Sequence, residues 1–481
     1  MESSNQLNAE KTKENIEAHW ENWYVKGLSE FIEVPNLTPM VDPNYLTNGL
    51  NEKAMALVDD YINKLEIKGL SKKIFQPDGM TPLIVYVVDK AEGGSDAQIM
   101  FYGHLDKQPW MDGWSEGLGP TKPVIRGEYL YGRGGGDDGY SPFSTMLAVK
   151  NAQLQGVKHS RIVLVLETEE ESGSPNLINL LNIAKDFIGN PDYLFCLDSG
   201  AFDYNQLWLT SSLRGITLMD VTVKAGKGGY HSGEVGGIVP ETFRVMRHLL
   251  NRLDDPKTGL PMEELNTELP AYARPEAEKM VALSGDAMCK KYKMEEGVKY
   301  VSQENLVEMY LNNTWKANLS VTGAGGLPDY SRAGNVVRPQ TTLRLSYRLP
   351  PNMDCHKAAA AVKAKLTTDV PHDCIVEIKG DHNGNGWCMK DPEPWFHDCI
   401  NNASKHFYEK DYGSYGMGGS IPFLSQLGGL YPDTFIVALG LLGPQSNAHA
   451  PNESINLTYA KKLTMCMSHI LVDVANGHKS K

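Results

Sequence analysis

Short apolar runs of strand length recur along this chain, and each ends just before histidine or acidic residues. The runs and the polar residues that follow them are 85–88 and 99–102 before His104 and Asp106, 129–131 before Asp137 and Asp138, 162–166 before Glu169, Glu170 and Glu171, 193–197 before Asp198, and 435–439 before His449. Ligands of open α/β sheets bind beyond the carboxyl ends of the strands. If these runs share one sheet, their ends gather two histidines and several carboxylates into one cleft, which suits a pair of divalent metal ions.

Helical patterns alternate with these runs in the first part of the chain. Residues 142–155 and 177–187 are predicted helices, and Pro142 stands near the start of the first, where proline is favoured. The alternation predicts an α/β domain with a mixed, mostly parallel sheet flanked by helices.

The pattern changes near residue 213. Shorter strand candidates follow at 215–223, 318–321, 341–348 and 374–379, with a helical segment at 240–254 and a weakly patterned stretch over 255–312. This predicts a smaller α+β domain inserted into the first. We therefore divide the chain into 1–213, an inserted domain 214–387, and 388–481, which returns to the first domain.

Composition excludes some classes of function. The formal net charge of -13 argues against nucleic-acid binding as the main activity, because phosphate backbones require a basic face. The longest apolar stretch, 434–442, is too short to span a bilayer, and Met1 to Glu21 shows no secretory signal. The seven cysteines form no CxxC pair, so we expect neither a disulfide framework nor a thiolate zinc site, and we predict a cytoplasmic location.

Two motifs could hold metal ions. His104 and Asp106 are two residues apart at a strand end, so they face the same side, and the carboxylate could orient a ligating imidazole. The glycine run 132–136 lacks the Lys-Ser or Lys-Thr of a phosphate loop, and its glycines would let the carboxylate of Asp137 approach and bridge two cations. The alternatives are an unrelated pair in a loop and an ordinary surface turn.

The acidic run 169–171 could be a solvated loop, but it could also supply one metal ligand and one general base. A bound metal lowers the pKa of water to about 7 from about 15.7, which makes a glutamate a competent base. Asp198 and His449, taken singly, could be a helix cap and a loop histidine. Together these oxygen and nitrogen ligands are typical of zinc or manganese.

His231 and Arg348 belong to the inserted domain. A histidine there could be a core residue or could hold a developing oxyanion. The arginine could form a surface ion pair or bind a substrate carboxylate with two hydrogen bonds.

These motifs make the sequence resemble a known family, the co-catalytic metallopeptidases of the aminoacylase, carboxypeptidase G and carnosine dipeptidase type, and most of all its cytosolic nonspecific dipeptidase branch. The matching stretches are 102–106, 130–134 with Asp137 and Asp138, 170–174, 230–233, 314–326, 346–350, 418–422, and Ala448-His449 with Asn452-Glu453. The resemblance implies a zinc-peptidase-like catalytic domain and an inserted lid or dimerisation domain. It also implies a homodimer with two divalent ions per subunit, zinc or alternatively manganese.

The resemblance also implies a role for each site residue. His104, Asp137 and Asp198 would bind one ion, and Asp137, Glu171 and His449 the other. Asp106 would orient His104, Glu170 would be the general base, and His231 would act in the partner subunit's active site. The substrate would contact Asn335, Arg348, His382, Gly419 and Ser420.

Two departures border the cleft: Gly139-Tyr140 stands where the family usually has Lys-Gly, and Met417 precedes the Gly418-Gly419 pair where an acidic or polar residue is usual. The predicted activity is hydrolysis of the amide bond of a dipeptide or an N-acyl amino acid with a free carboxylate, by a water between the two metals that Glu170 activates. The alternatives are a specific deacylase, such as a succinyl-diaminopimelate desuccinylase, and a catalytically silent interaction module. No membrane partner is expected.

Overall fold

The computed structural model describes residues 5–290, 292–419 and 422–477. Contacts divide the chain into two compact units. The first contains Met1–Thr210, Met389–Ser414 and Gln426–Lys481, and the second contains Ser211–Cys388 and Tyr415–Ser425. Residues 415–425 thus group with the second unit, whereas the sequence analysis placed them in the last part of the first domain.

The strands are β1 Leu70–Phe75, β2 Leu83–Val88, β3 Gln98–His104, β4 Val124–Arg126, β5 Tyr129–Tyr131, β6 Arg161–Glu167, β7 Tyr193–Cys196, β8 Trp208–Leu213, β9 Gly215–Lys224, β10 Tyr230–His231, β11 Asn318–Gly325, β12 Val336–Val337, β13 Gln340–Leu349, β14 Ile375–Gly384, β15 Trp387–Cys388, β16 Gly413–Met417, β17 Phe435–Ala438 and β18 Ser454–Asn456. The α-helices are α1 Ala9–His19, α2 Lys26–Glu33, α3 Leu50–Lys64, α4 Ser141–Leu154, α5 Leu177–Ile188, α6 Ser232–Val235, α7 Thr242–Leu250, α8 Ala273–Ser284, α9 Ala287–Lys290, α10 Leu306–Thr314, α11 Cys355–Thr367, α12 Pro394–Tyr408, α13 Pro422–Leu430 and α14 Leu457–Gly477. A π-helical segment, Trp20–Val25, joins α1 to α2.

The sheet of the first unit has the strand order β1-β2-β6-β3-β7-β17-β8. Its centre is parallel, since β3 pairs in parallel with β6 and β7, and β17 with β7. Its flanks are antiparallel, at β1 with β2, β2 with β6, and β17 with β8. Strands β2 and β3 are buried along their whole length, as expected of continuous apolar runs with both faces covered. The mixed sheet flanked by helices confirms the predicted fold class.

One predicted strand lies elsewhere. The run 129–131 is β5, which belongs to a separate three-stranded sheet of order β18-β5-β4. The expectation that all the apolar runs share one sheet is therefore wrong for this run. Pairing of β5 with β18 places the glycine run beside the segment that follows His449, because Gly132 donates its backbone N–H to the carbonyl of Glu453.

The second unit has its own core. Its four-stranded antiparallel sheet has the order β11-β13-β9-β14, and the side chains of β9 alternate between buried and half-buried positions. The helices α7 and α11 pack on this sheet through buried Val245, Leu249 and Val362. This unit therefore buries an apolar centre independently of the first. Among the described residues, no helix is both long and apolar enough to cross a bilayer.

Candidate metal centre

The segments that carry the candidate ligands meet at the carboxyl ends of the parallel strands. His104 is the last residue of β3, Asp198 follows β7 by two residues, and Glu171 lies in a short 3-10 turn after β6. Asp137 lies in the loop between β5 and α4, and His449 in the loop between β17 and β18. This is the edge of the sheet where α/β proteins bind ligands.

The carboxylate of Asp137 is the centre of the cluster. Its Oδ1 lies 3.1 Å from Nε2 of His104, and its Oδ2 lies 3.0 Å from Nε2 of His449. The two imidazoles thus approach different oxygens of one carboxylate. Burial alone would raise the pKa of Asp137, but its hydrogen bonds with the two histidines outweigh burial and hold that pKa below the usual range.

Two groups of potential ligands share this carboxylate. His104, Asp137 and Asp198 form one, and Asp137, Glu171 and His449 form the other, with the ligand atoms of each group within 4.8 Å of one another. In the second group, Nε2 of His449 lies 3.3 Å from Oε2 of Glu171. These are the same two sets that the resemblance implied.

The charges of the cluster favour bound cations. Burial raises the pKa of Asp198 to about 6, and burial also raises those of Glu170 and Glu171 well above their usual range. Oε1 of Glu171 is buried without a hydrogen-bond partner. Closely packed buried carboxylates are unfavourable unless positive charge compensates them, and divalent ions would supply that charge. The residues present therefore fit a pair of metal ions.

Asp106 contacts both the histidine and the glutamate turn. Its Oδ1 lies 3.4 Å from Nδ1 of His104. The same oxygen accepts a hydrogen bond from the backbone N–H of Glu170 at 3.1 Å, and Oδ2 accepts one from that of Glu171 at 3.0 Å. Asp106 therefore fixes the glutamate turn and also the orientation of the His104 ring.

The three consecutive glutamates have different surroundings. Glu169 accepts hydrogen bonds from the backbone and side-chain nitrogens of Asn176, at 2.7 and 3.1 Å, just before α5. Oε2 of Glu170 lies 4.0 Å from Nε2 of His104, and this side chain keeps a relative exposure of 17%. Glu171 belongs to the second ligand group. Glu170 is thus the member of the run that can face both the cluster and a substrate.

Sequence reasoning missed several residues around the cluster. Gln108 donates its side-chain N–H to Oε2 of Glu171 at 2.5 Å, and its position two residues after Asp106 was an available signal because such residues share a face. Buried Lys107 donates to the carbonyls of Phe31 and Val34 at 2.7 and 2.6 Å. Burial lowers the pKa of Lys107 to about 7. These contacts tie the end of α2 to the loop after β3.

The departure at Gly139-Tyr140 has a structural explanation. A side chain at Gly139 would meet the ring of Phe31 at 2.2 Å and the carbonyl of Gly134 at 2.5 Å, so there is no room for one. Tyr140 is fully buried and donates its hydroxyl to the carbonyl of Leu197 at 2.5 Å. Tyr140 therefore supports the residue immediately before Asp198.

The remaining candidates lie in the second unit. His231 is exposed in β10, and its Nδ1 accepts a hydrogen bond from the backbone N–H of Gly233 at 3.2 Å. The carbonyl of Asn335 accepts one from Ser232 at 2.9 Å, so Asn335 and His231 belong to adjoining segments. His382 is exposed in β14, where it pairs with Leu218.

Arg348 lies in β13 and is half-buried, and burial lowers its pKa. Nearby Arg214 donates its backbone N–H to the carbonyl of Gly419 at 2.9 Å and its Nε–H to that of Gly418 at 3.0 Å. Two arginines thus concentrate positive charge in this part of the second unit. Ser420 lies outside the described residues.

Comparison with known proteins identifies the class. A family model described as peptidase family M20/M25/M40 matches residues 100–473. The Cys-Gly metallodipeptidase dug1 of Schizosaccharomyces pombe is 23% identical over 457 residues, which cover 90% of this chain and 92% of that protein. The structure of human carnosine dipeptidase 1 superposes with a TM-score of 0.72 at 20% identity, covering 98% of this chain and 100% of that one.

The probable di- and tripeptidase DUG2 of Saccharomyces cerevisiae is 22% identical over 443 residues, which cover 88% of this chain and 48% of that protein. The chain therefore spans about half the length of this relative. Fold, ligand groups and family match together define a peptidase that binds divalent metal. The chain belongs to peptidase family M20/M25/M40, which confirms the predicted resemblance.

Proposed function

We propose that the protein is a dinuclear metal hydrolase that cleaves the amide bond of dipeptides or N-acyl amino acids with a free carboxylate. The observation that carries this proposal is the pair of ligand groups that share Asp137, with Glu170 beside them. Relatives named as dipeptidases support the choice of substrate class. We propose zinc as the bound ion, with manganese as the alternative, since nitrogen and carboxylate ligands suit both.

Each residue of the first unit has a role in this reaction. Bound divalent ions would polarise the substrate carbonyl and lower the pKa of water. Glu170 takes a proton from the water that attacks the carbonyl carbon, and it returns this proton to the amide nitrogen as the carbon–nitrogen bond breaks. Asp106 holds the turn that carries Glu170. The products are a carboxylate and a free amine, so atoms and protons balance.

The second unit would bind the substrate. Arg348 would hold the carboxylate of the substrate. Arg214 carries a second positive charge nearby. Asn335, His382, Gly419 and Ser420 are the further contacts that the resemblance implies.

We also propose a homodimer in the cytoplasm, in which His231 of the partner subunit holds the oxyanion of the reaction. Large exposed apolar side chains near β10 and β12 support an interface on the second unit: Tyr230 at 41%, Ile238 at 78% and Tyr330 at 93% relative exposure. The seven free cysteines suit a reducing compartment. Sedimentation analysis tests the dimer.

The test of the activity is a substrate panel. Dipeptides, N-acetyl amino acids and an N-succinyl amino acid would be assayed with the purified protein, after removal of metal by a chelator, and after addition of zinc or manganese. We expect hydrolysis that disappears with the metal and returns with it. Unchanged turnover by protein that elemental analysis shows to be metal-free would refute the proposal, and a preference for the N-succinyl substrate would favour the deacylase.

A further inference from the structure

Arg133 and Glu453 form a buried ion pair beside the metal centre, although 320 residues separate them in sequence. The guanidinium Nη1 lies 2.5 Å from Oε2 of Glu453, and both side chains are almost fully buried. Oε1 of Glu453 accepts a second hydrogen bond, from the backbone N–H of Gly134 at 2.9 Å. The pair thus joins the glycine loop that leads to Asp137 to the segment that follows His449.

The same guanidinium contacts two further segments. Its Nη2 donates to the carbonyl of Ala450, next to His449, and to the carbonyl of Pro109, next to Gln108, both at 3.2 Å. Gln108 in turn donates to Glu171. Arg133 therefore contacts the segment that carries His449 directly, and it reaches Glu171 only indirectly, through the segment that carries Gln108.

The loop around His449 has a backbone that needs such support. Asn447, His449 and Asn452 have φ values of 51°, 61° and 63°, in the left-handed region that residues other than glycine adopt at a cost. The Nε2 atom of His449 is nevertheless within 3.0 Å of Asp137. Contacts outside the imidazole must hold this conformation. The ion pair of Arg133 with Glu453 is buried, its hydrogen bond to Ala450 is partly buried, and both are charge-assisted.

We propose that Arg133 and Glu453 are positioning residues that hold His449 against Asp137, and so set the affinity of the ion bound by Asp137, Glu171 and His449. The ion bound by His104, Asp137 and Asp198 depends on the pair much less, since two of its three ligands, His104 at the end of β3 and Asp198 two residues after β7, lie on segments that the pair does not contact. This inference rests on the proposed binding of two ions.

The test is metal binding, measured without turnover. Metal-free protein would be titrated with Zn²⁺ by calorimetry, and the bound ions counted by native mass spectrometry, for the parent, Glu453→Gln and Arg133→Lys. The control is Glu276→Gln, a buried glutamate of the second unit that accepts a hydrogen bond from the hydroxyl of Tyr310. We expect both pair variants to keep one ion and to bind the other about tenfold to a hundredfold more weakly, and the control to match the parent.

A second comparison assigns the affected ion. Adding Glu453→Gln to a His449→Ala variant should cause no further loss of affinity, because both changes act on the same ion. Parent affinities in both pair variants, or equal weakening of both ions, would overturn the inference. So would failure of both variants to fold while Glu276→Gln folds, because the pair would then serve the whole fold. A parent that binds fewer than two ions would instead refute the proposed function.

Discussion

The carboxylate of Asp106 accepts a hydrogen bond from the backbone nitrogen of Glu170, at 3.1 Å across 64 residues of sequence. The neighbouring backbone nitrogen, of Glu171, bonds to the other oxygen of the same carboxylate. Asp106 thus links the proposed general base and a proposed metal ligand to the end of the strand that carries His104.

Replacing Asp106 by asparagine should impair catalysis. An amide has one oxygen, so one of the two backbone N–H groups would face an NH2 group and stay unsatisfied, at a cost of about 1–3 kcal/mol. We expect kcat/KM for a dipeptide to fall by about tenfold to a hundredfold and thermal stability to fall with it. Asp220→Asn, which breaks an exposed ion pair with Arg344, is the control. An unchanged kcat/KM in the Asp106 variant would contradict this role.

Two glutamine substitutions should separate adjacent glutamates. Glu170→Gln removes the proposed base, so we expect kcat to fall by about a hundredfold to ten-thousandfold while the metal content stays at the parent level. Glu169→Gln should leave kcat near the parent's, because Glu169 bonds to Asn176. Steady-state kinetics and elemental analysis measure both. Equal losses in the two variants would show that the run has been assigned in the wrong register.

Mixing two inactive variants tests whether His231 acts in the partner subunit. In a mixed dimer of Glu170→Gln and His231→Ala, one site would combine an intact Glu170 with an intact His231 of the partner subunit. Random pairing should restore about one quarter of the parent activity. If His231 acts within its own subunit, no mixed dimer has an intact site and no activity returns. Refolding the variants together and separately provides the comparison.

His469 should make the stability depend on pH. Burial lowers its pKa to about 4, and the positive charge of His406 adds to this effect. Between about pH 6.5 and pH 4 the unfolded chain binds a proton that the folded chain does not, so this contribution to stability is lost as the pH falls. The loss is on the order of 3 kcal/mol.

The measurement is urea denaturation of the parent and of His469→Gln between pH 4 and 7. The glutamine keeps a partner for the Thr12 hydroxyl, which lies 3.3 Å from the imidazole. We expect the stability of the variant relative to the parent to rise as the pH falls. His406→Asn removes the neighbouring positive charge, so the pKa of His469 in the folded protein should rise toward its value in the unfolded chain. The pH range over which stability is lost should then be narrower. Parallel curves for parent and His469→Gln would disprove this explanation.

The sequence predicts the elements that frame the metal centre because their signals are local. Strands β2, β3 and β6 are continuous apolar runs, and helices α4 and α5 begin and end within one residue of the predicted helices 142–155 and 177–187. Helix α8 was missed within 255–312 because it buries two alanines, Met280 and Glu276, which form no clear apolar stripe.

The supporting contacts of the site could not be predicted in the same way. The pairing of Arg133 with Glu453 joins residues 320 positions apart, and one sequence carries no periodic signal for such a contact. The carbonyl acceptors of Lys107 are backbone groups, which no side-chain pattern reveals. The candidate ligands were found because each follows a strand, whereas the residues that hold them follow no such rule.

The contacts of Lys107 matter for any shortened version of this chain. The family match begins at residue 100, but the carbonyls that receive the buried ammonium belong to Phe31, Ile32 and Val34. Trimming the protein to the matched region would leave this ammonium without acceptors, one residue after Asp106. The first helices are therefore part of the smallest piece of this protein that can be expected to work as an enzyme.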